Sequence, residues 1–414
     1  MVNYFYDCYV VLNKVYSEKA FLKQAINSTF LEPKNKSLTI KTCYGVLDKE
    51  EELSYLISYF APKNPKLAIR TILKIAMYVI KYLGKQPYGV TKNAVELTKK
   101  LGKGGASGFV NAFLRRFSTE DFVLPKDEFK AFSIKYNFPE FAIKELFDFY
   151  GKEKAIKILS SKNEKTCVVF NKIDGKKYLD DLGIEYLETP FDNVFLTKNF
   201  IRTGDYDKGL YTFQALGSVA ICDIVEKGES LLDCCAAPGG KSVRLASKFN
   251  KIISCDIHPH RVELIGDYKR RMGVDNIEEI VMDSSEFNPD FEGKFDAVLC
   301  DAPCSGLGVV NDNPDIKLNR TAKSVDELNL MQINILNNVC KYVKIGGYLY
   351  YSTCSILNRE NKAIIDLFMS DKTNFELIDI ASKIPNLKIS KTIQFLPDIS
   401  GGLGFYVAKL KRVK

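Results

Sequence analysis

The sequence predicts a multidomain protein. An N-terminal all-α domain leads through a small α+β middle segment to a C-terminal α/β domain on a seven-stranded, largely parallel sheet. Three observations predict it. Through residues 3–117, apolar residues recur at helical spacing. From about Gly217, short apolar runs alternate with helical stretches, the pattern of a doubly wound sheet. Several of those runs end on a carboxylate, at Asp233, Asp256, Asp283 and Asp301, where open α/β sheets place their ligand crevice. At 414 residues the chain also exceeds what one core serves. The expected domains are 1–120, 121–215 and 216–414.

In the first domain, Tyr4–Phe30 is apolar at helical spacing. In Leu67–Leu83 the stripe is wider, through Leu67, Leu73, Ile75, Ala76, Val79, Ile80 and Leu83, with Pro65 before it and Gly84 after. Further helices are expected over Val90–Leu101 and Ala106–Phe117, parted by Gly102–Gly105. Five to seven helices follow, whose stripes read first as core. The pattern loosens over Phe117–Lys135, which reads as a linker. Phe138–Leu159 is helical again, with a break at Gly151. Thr166–Asn171, Ile184–Leu187 and Val194–Thr197 read as strands around a short helix, Lys176–Leu182.

In the last domain, strands are expected at Ser230–Cys235, Ile252–Asp256, Ile277–Met282, Phe295–Cys300 and Gly347–Ser352. The helices between them include Pro259–Met272, stopped by Gly273, then Val325–Val343 and Arg359–Met369. Phe375–Ile378 and Phe405–Leu410 follow without a long helix between them, so an antiparallel edge is expected to complete the sheet.

Composition narrows the function. No apolar run reaches the length of a bilayer span, and Met1–Asp7 has no leader pattern. A soluble cytoplasmic protein without a membrane partner is expected. Eleven cysteines with no regular spacing suit a reducing compartment, and Cys222, Cys255, Cys300 and Cys340 read as core. With His258 and His260 the only histidines, and no Cys-x-x-Cys pair, no metal site is expected. Residues 1–120 hold 19 Lys and Arg against 9 Asp and Glu, whereas the remainder holds 40 against 42. A positive excess carried by one domain suggests a polyanion, most simply nucleic acid.

Two stretches carry the chemistry. Cys235-Ala236-Ala237-Pro238-Gly239-Gly240-Lys241 turns from the first strand into a helix, and its small residues let backbone amides approach a ligand. Asp256 can accept ribose hydroxyls and Asp283 an adenine amino group. With neither Gly-x-Gly-x-x-Gly nor a P-loop present, an adenosyl ligand without phosphate, S-adenosylmethionine, fits better than a dinucleotide. The second stretch, Asp301-Ala302-Pro303-Cys304-Ser305-Gly306-Leu307-Gly308, sends a carboxylate and a thiol off one strand end, and makes Cys304 the first candidate for a nucleophile.

Residues 233–241, 301–308 and Tyr351-Ser352-Thr353-Cys354-Ser355 resemble three signature motifs of the RNA cytosine-5 methyltransferases of the Sun/Nop2 family. Asn313-Pro314-Asp315-Ile316-Lys317 is similar to a fourth, with Asn313 and Leu318 replacing the usual His and Trp. Gly108–Arg116 resembles the NusB-like helical domain that marks the bacterial small-subunit enzymes. Val169, Ala215 and Leu403-Gly404-Phe405 depart from the family pattern outside the catalytic motifs.

The resemblance implies a Rossmann-like catalytic domain that methylates C5 of a cytosine in 16S rRNA, of the position-967 type, through a covalent cysteine–C6 adduct. It makes Cys354 the nucleophile and gives Cys304 the breakdown of the adduct. It places Asp301 on the base and the methyl-donor region, with Lys241 supporting it. S-adenosylmethionine would bind Cys235–Lys241, Asp256, Asp283 and Asp301. Transfer RNA or 23S rRNA is the alternative substrate, and a non-catalytic NusB-like RNA-binding protein the alternative of another class.

Overall fold

The structure is a computed structural model that describes residues 2–198 and 200–414. The chain forms two compact units. The first runs to Ala155 and takes in Val310–Thr321, and the second holds Ile156–Val309 and Ala322–Lys414. No helix among the described residues is long and apolar enough to cross a membrane.

The first unit is helical: α1 (Val2–Glu18), α2 (Leu22–Asn27), α3 (Lys36–Asp48), α4 (Glu50–Phe60), α5 (Leu67–Lys81), α6 (Pro87–Lys100), α7 (Ser107–Thr119), α8 (Glu128–Tyr136), α9 (Glu140–Tyr150) and the start of α10 (Lys152–Ser160). Helix α5 is its axis, with Ile72, Leu73, Ile75, Ala76 and Met77 wholly buried. The one cation in that face, Lys74, pairs with Glu50 and lies over the Tyr16 ring. The expected Tyr4–Phe30 helix is broken into α1 and α2, where Lys19 takes the left-handed conformation. The supposed linker contains α8. Its start is set by Asp127, whose carboxylate accepts from Lys130 N at 2.8 Å.

Residues 310–321 reach into this helical unit through charges matched to helix ends. Asp315 accepts from Leu22 N, at the start of α2, at 3.0 Å. Lys317 donates to Asp48 O, at the end of α3, and to Asn137 O, just past α8, each at 2.8 Å. Both placements complement the helix macrodipole. Burial pushes the Lys317 ammonium down to about 8, against the opposing pull of Asp48, Glu51 and Glu50. Between that value and an ordinary lysine's, the unfolded chain holds a proton that the folded one has shed, so stability rises with pH in that window. Relative to Lys317→Met, the wild-type chain is expected to gain about 3 kcal/mol between pH 7.5 and 10.5, at about 1.4 kcal/mol per pH unit. Urea unfolding of both proteins across that range measures it, and a difference that stays flat with pH contradicts it.

The second unit opens on a small antiparallel sheet of β1 (Thr166–Phe170), β2 (Tyr186–Glu188), β3 (Val194–Thr197) and β4 (Tyr211–Phe213), in the order β2-β3-β1-β4, with α11 (Gly175–Asp181) between β1 and β2. Strand β4 was not expected. Three residues beside the aromatic cluster of Phe170, Phe200 and Tyr206 are too few to show alternation.

The rest is the doubly wound domain. After α12 (Leu216–Ile224) come β5 (Gly228–Asp233), α13 (Gly240–Leu245), β6 (Phe249–Asp256), α14 (Pro259–Met272), β7 (Ile277–Val281), β8 (Phe295–Asp301), α15 (Ala322–Val339), β9 (Val343–Thr353), α16 (Lys362–Ser370), β10 (Phe375–Leu377), β11 (Thr392–Phe395) and β12 (Phe405–Arg412). The strand order is β7-β6-β5-β8-β9-β12-β10, with β11 paired to β12. The expected seven strands are there, and β11 adds a short eighth.

The last two strands in that order form the expected antiparallel edge, with β10 outermost and pairing antiparallel with β12. Strand β12 is antiparallel to β9 and lies inside the sheet, so β10 runs with the others. Burial sets which of the two is outermost. Phe405–Leu410 is buried at every position, as an interior strand must be, whereas β10 is only three residues long, as edge strands often are. Strand order reverses at β5, which pairs with β6 on one side and β8 on the other. The crevice at such a switch point lies at the ends of β5 and β8, where the two chemistry-bearing stretches begin.

Candidate active site

Strands β8 and β9 are parallel neighbours with Asp301 opposite Ser352. Each then runs straight into a Cys-Ser pair, Cys304-Ser305 and Cys354-Ser355. Fifty residues apart in sequence, the two thiols lie 3.1 Å apart, and Cys354 N donates to Cys304 Sγ at 3.3 Å. The Cys304 thiol is pushed well up, first by its hydrogen bond to Cys354, then by burial and by the nearby charges of Cys354 and Glu360. Cys304 is therefore held as a neutral thiol that can donate a hydrogen bond.

Beside the thiols, Asp301 is fixed through both oxygens. Lys241 Nζ meets Oδ2 at 2.5 Å, and Ser352 Oγ donates to Oδ1 at 2.7 Å. Burial would lower the Lys241 ammonium, but the Asp301 charge and hydrogen bond outweigh it and raise it. The lysine stays charged against that carboxylate. Asp301, Lys241, Cys304 and Cys354 are thus gathered at one end of the sheet.

A residue that sequence reasoning missed joins the two loops. Glu360 is wholly buried. It accepts from Ser305 N at 2.6 Å, from Ser305 Oγ and Ser355 Oγ at 2.5 Å each, and from Gln332 Nε2 at 3.2 Å. Gln332 also donates to Pro303 O at 2.9 Å. One carboxylate thus holds both Cys-Ser turns in register. In the sequence, Glu360 reads as an ordinary acidic residue at a helix start, and nothing local marks it as buried. A close backbone approach adds to the clamp. Gly308 N donates to Cys354 O at 2.9 Å, and a Cβ at Gly308 would lie 2.2 Å from Gly404 O.

The Cys235–Lys241 turn lies at the end of β5. The first helical bond of α13 runs from Val243 N to Gly239 O, which leaves the amides of Gly240, Lys241 and Ser242 outside the helical ladder. Gly239 has φ 103°, and a Cβ there would come 3.3 Å from Ile265 Cα. The turn therefore suits a ligand that meets backbone. Beneath it, burial pushes Asp233 up to about 7, against the Ser242 hydroxyl that donates to Oδ2 at 2.6 Å. Its Oδ1 is buried without a hydrogen-bond partner among the described residues. Asp256 follows at the end of β6, with Arg261 3.1 Å from Oδ2 and His258 N 3.2 Å from Oδ1. Asp283, beyond β7, accepts from Ser285 N and Oγ at 2.8 and 2.7 Å. The chain's own donors thus already meet both of these carboxylates. His258 and His260 are exposed with stacked rings.

The NusB family model matches residues 2–119, and the model of the 16S rRNA methyltransferases RsmB/F matches residues 221–411. The chain is 32% identical to the probable ribosomal RNA small subunit methyltransferase B of Bacillus subtilis, over 97% of this chain and 95% of that one. It is 28% identical to the ribosomal RNA small subunit methyltransferase B of Klebsiella pneumoniae, over 91% and 90%. Its fold is similar to that in the crystal structure of PH0851, with a TM-score of 0.84 and 20% identity over 100% of this chain and 99% of that one. NSun6 from Pyrococcus horikoshii, solved with SFG, gives a TM-score of 0.58 and 21% identity over 67% of this chain and 99% of that one. With a relative of this identity along nearly its whole length, the chain belongs to the RsmB/F family of 16S ribosomal RNA methyltransferases.

Proposed function

We propose that the protein methylates C5 of a cytosine in 16S rRNA with S-adenosylmethionine as methyl donor. The carrying observation is the pair of thiols 3.1 Å apart beside the Asp301–Lys241 ion pair. One thiol suffices to attack a base, and a second in contact with it suits a reaction in which the first must also leave. Ribosomal RNA as substrate is supported by the names of the relatives and by the NusB match over residues 2–119.

The cofactor supplies an electrophilic methyl group. The residues that would hold it are Cys235–Lys241, Asp256, Asp283 and Asp301. Asp256 is proposed to take the ribose hydroxyls in place of its present partners. Cys354, as thiolate, attacks C6 of the flipped cytosine and turns the ring into an enamine whose C5 is nucleophilic. Asp301, held in place by Lys241 and Ser352, accepts from the exocyclic amine and orients the ring. Once C5 carries the methyl group, a water molecule takes the C5 proton, the C5–H electron pair re-forms the C5–C6 double bond, and the C6–sulfur bond breaks with its electron pair returning to Cys354. Cys304, held as a thiol, donates its S–H to the departing sulfur and eases that step.

Bisulfite sequencing of ribosomal and transfer RNA from a deletion strain tests this. One cytosine in 16S rRNA, of the position-967 type, is expected to lose its protection and to regain it with the gene restored. Loss only in transfer RNA or 23S rRNA overturns the substrate, and no loss anywhere overturns the activity.

A further inference from the structure

The helical unit concentrates part of its positive charge around one groove of about 560 Å³. The walls are the turn at 62–66 that leads into α5 and the glycine-rich turn at 102–106 that leads into α7. Its floor is apolar, made by Ala68, Ile69, Ala106 and Phe109. Its rim carries Lys63, Lys66 and Lys103, all exposed, and no acidic residue lines it. Gly105 is exposed, and a Cβ there would meet nothing within 4 Å, so packing does not call for glycine at that position. Without side chains, the 104–105 stretch leaves the groove open on that wall.

We propose that this groove binds a single-stranded segment of the RNA substrate, with phosphates on the three lysines and a base against Phe109 and the neighbouring prolines. The proposal rests on the RNA reading given above. A cationic rim over an apolar, partly aromatic floor is the combination that sequence-tolerant single-strand sites use. Duplex backbone would engage the lysines and leave the floor unused. An apolar protein segment would fill the floor but leave the three rim lysines without partners of opposite charge. The groove lies wholly within the helical unit, so it recognises RNA flanking the target rather than the target base. That assigns the N-terminal charge a place and a ligand.

The test uses the full chain and two labelled probes: deproteinised 16S rRNA and a twelve-nucleotide single strand. In Lys63→Glu/Lys66→Glu/Lys103→Glu, affinity for both is expected to fall at least tenfold at 0.1 M salt. The slope of log K against log salt should shrink by about 2, since each single-strand phosphate contact contributes about 0.7. Gly105→Trp fills the groove without touching charge, and is expected to weaken binding with the slope unchanged. The control Lys23→Glu/Lys41→Glu/Lys92→Glu makes the same charge change at exposed positions on α2, α3 and α6. An equal or larger loss in that control, or no loss in Gly105→Trp, overturns the groove. Binding of neither probe by the wild-type chain would instead overturn the RNA reading itself. Thermal unfolding of each variant reports any loss of fold.

Discussion

Replacing Cys354 with alanine is expected to abolish methyl transfer, by a factor of at least about 10⁴, and to remove every covalent protein–RNA species. Without a thiolate at C6, the cytosine ring has no route to an electron-rich C5. Cys304 is the obvious substitute, but even without its bond to Cys354, burial and the nearby Glu360 charge still push its thiol up. The backbone around position 354 has its own supports. Its carbonyl accepts from Gly308 N, and the neighbouring Thr353 and Ser355 are tied to Asn361 and Glu360. The loss of one half-exposed sulfur should therefore cost no more than about 1 kcal/mol of stability. Incorporation of labelled methyl groups, with unfolding measured in parallel, separates chemistry from folding. Methylation at near wild-type rate in Cys354→Ala contradicts the assignment.

Replacing Cys304 with alanine is expected to do the opposite at one step. Attack by Cys354 survives, while departure slows, so a protein–RNA adduct stable on denaturing gels accumulates and turnover falls by about 10²-fold or more. The reason is the 3.1 Å sulfur–sulfur contact. A departing thiolate gains from a hydrogen-bond donor, and Cys304 is the group in contact that can supply one. The double variant is expected to give neither adduct nor turnover, because the trapping effect needs Cys354 first. If Cys304→Ala turns over normally with no adduct, the contact is structural only.

These two thiols show where sequence and structure part. The apolar run Phe295–Cys300 followed by Asp-Ala-Pro-Cys identifies a strand end with chemistry on it, and the resemblance of Thr353-Cys354-Ser355 adds a second. That both strands are parallel neighbours with Asp301 opposite Ser352 follows from sheet order, which a local pattern does not carry. Glu360 makes the point most clearly. Its sequence neighbours are Arg359 and Asn361, as in any exposed helix start, yet it is wholly buried with its hydrogen bonds spread over both loops. The same holds for Asp315 and Lys317, whose partners lie at helix ends about 180 to 290 residues away in the chain.

The sequence by itself determined the helical first part, the strand–helix alternation of the last, the Cys235–Lys241 turn and the set of chemically able residues. Those follow from periodicity, glycine and proline placement and residue type, all properties of short windows. Only the tertiary structure decided which carboxylates meet which donors, that β12 lies inside the sheet, that the two thiols touch, and that Cys304 is held protonated. Pairing across a sheet is set by burial summed over many residues, and a proton's affinity by charges brought close from distant parts of the chain. Neither can be read in a window of a few residues.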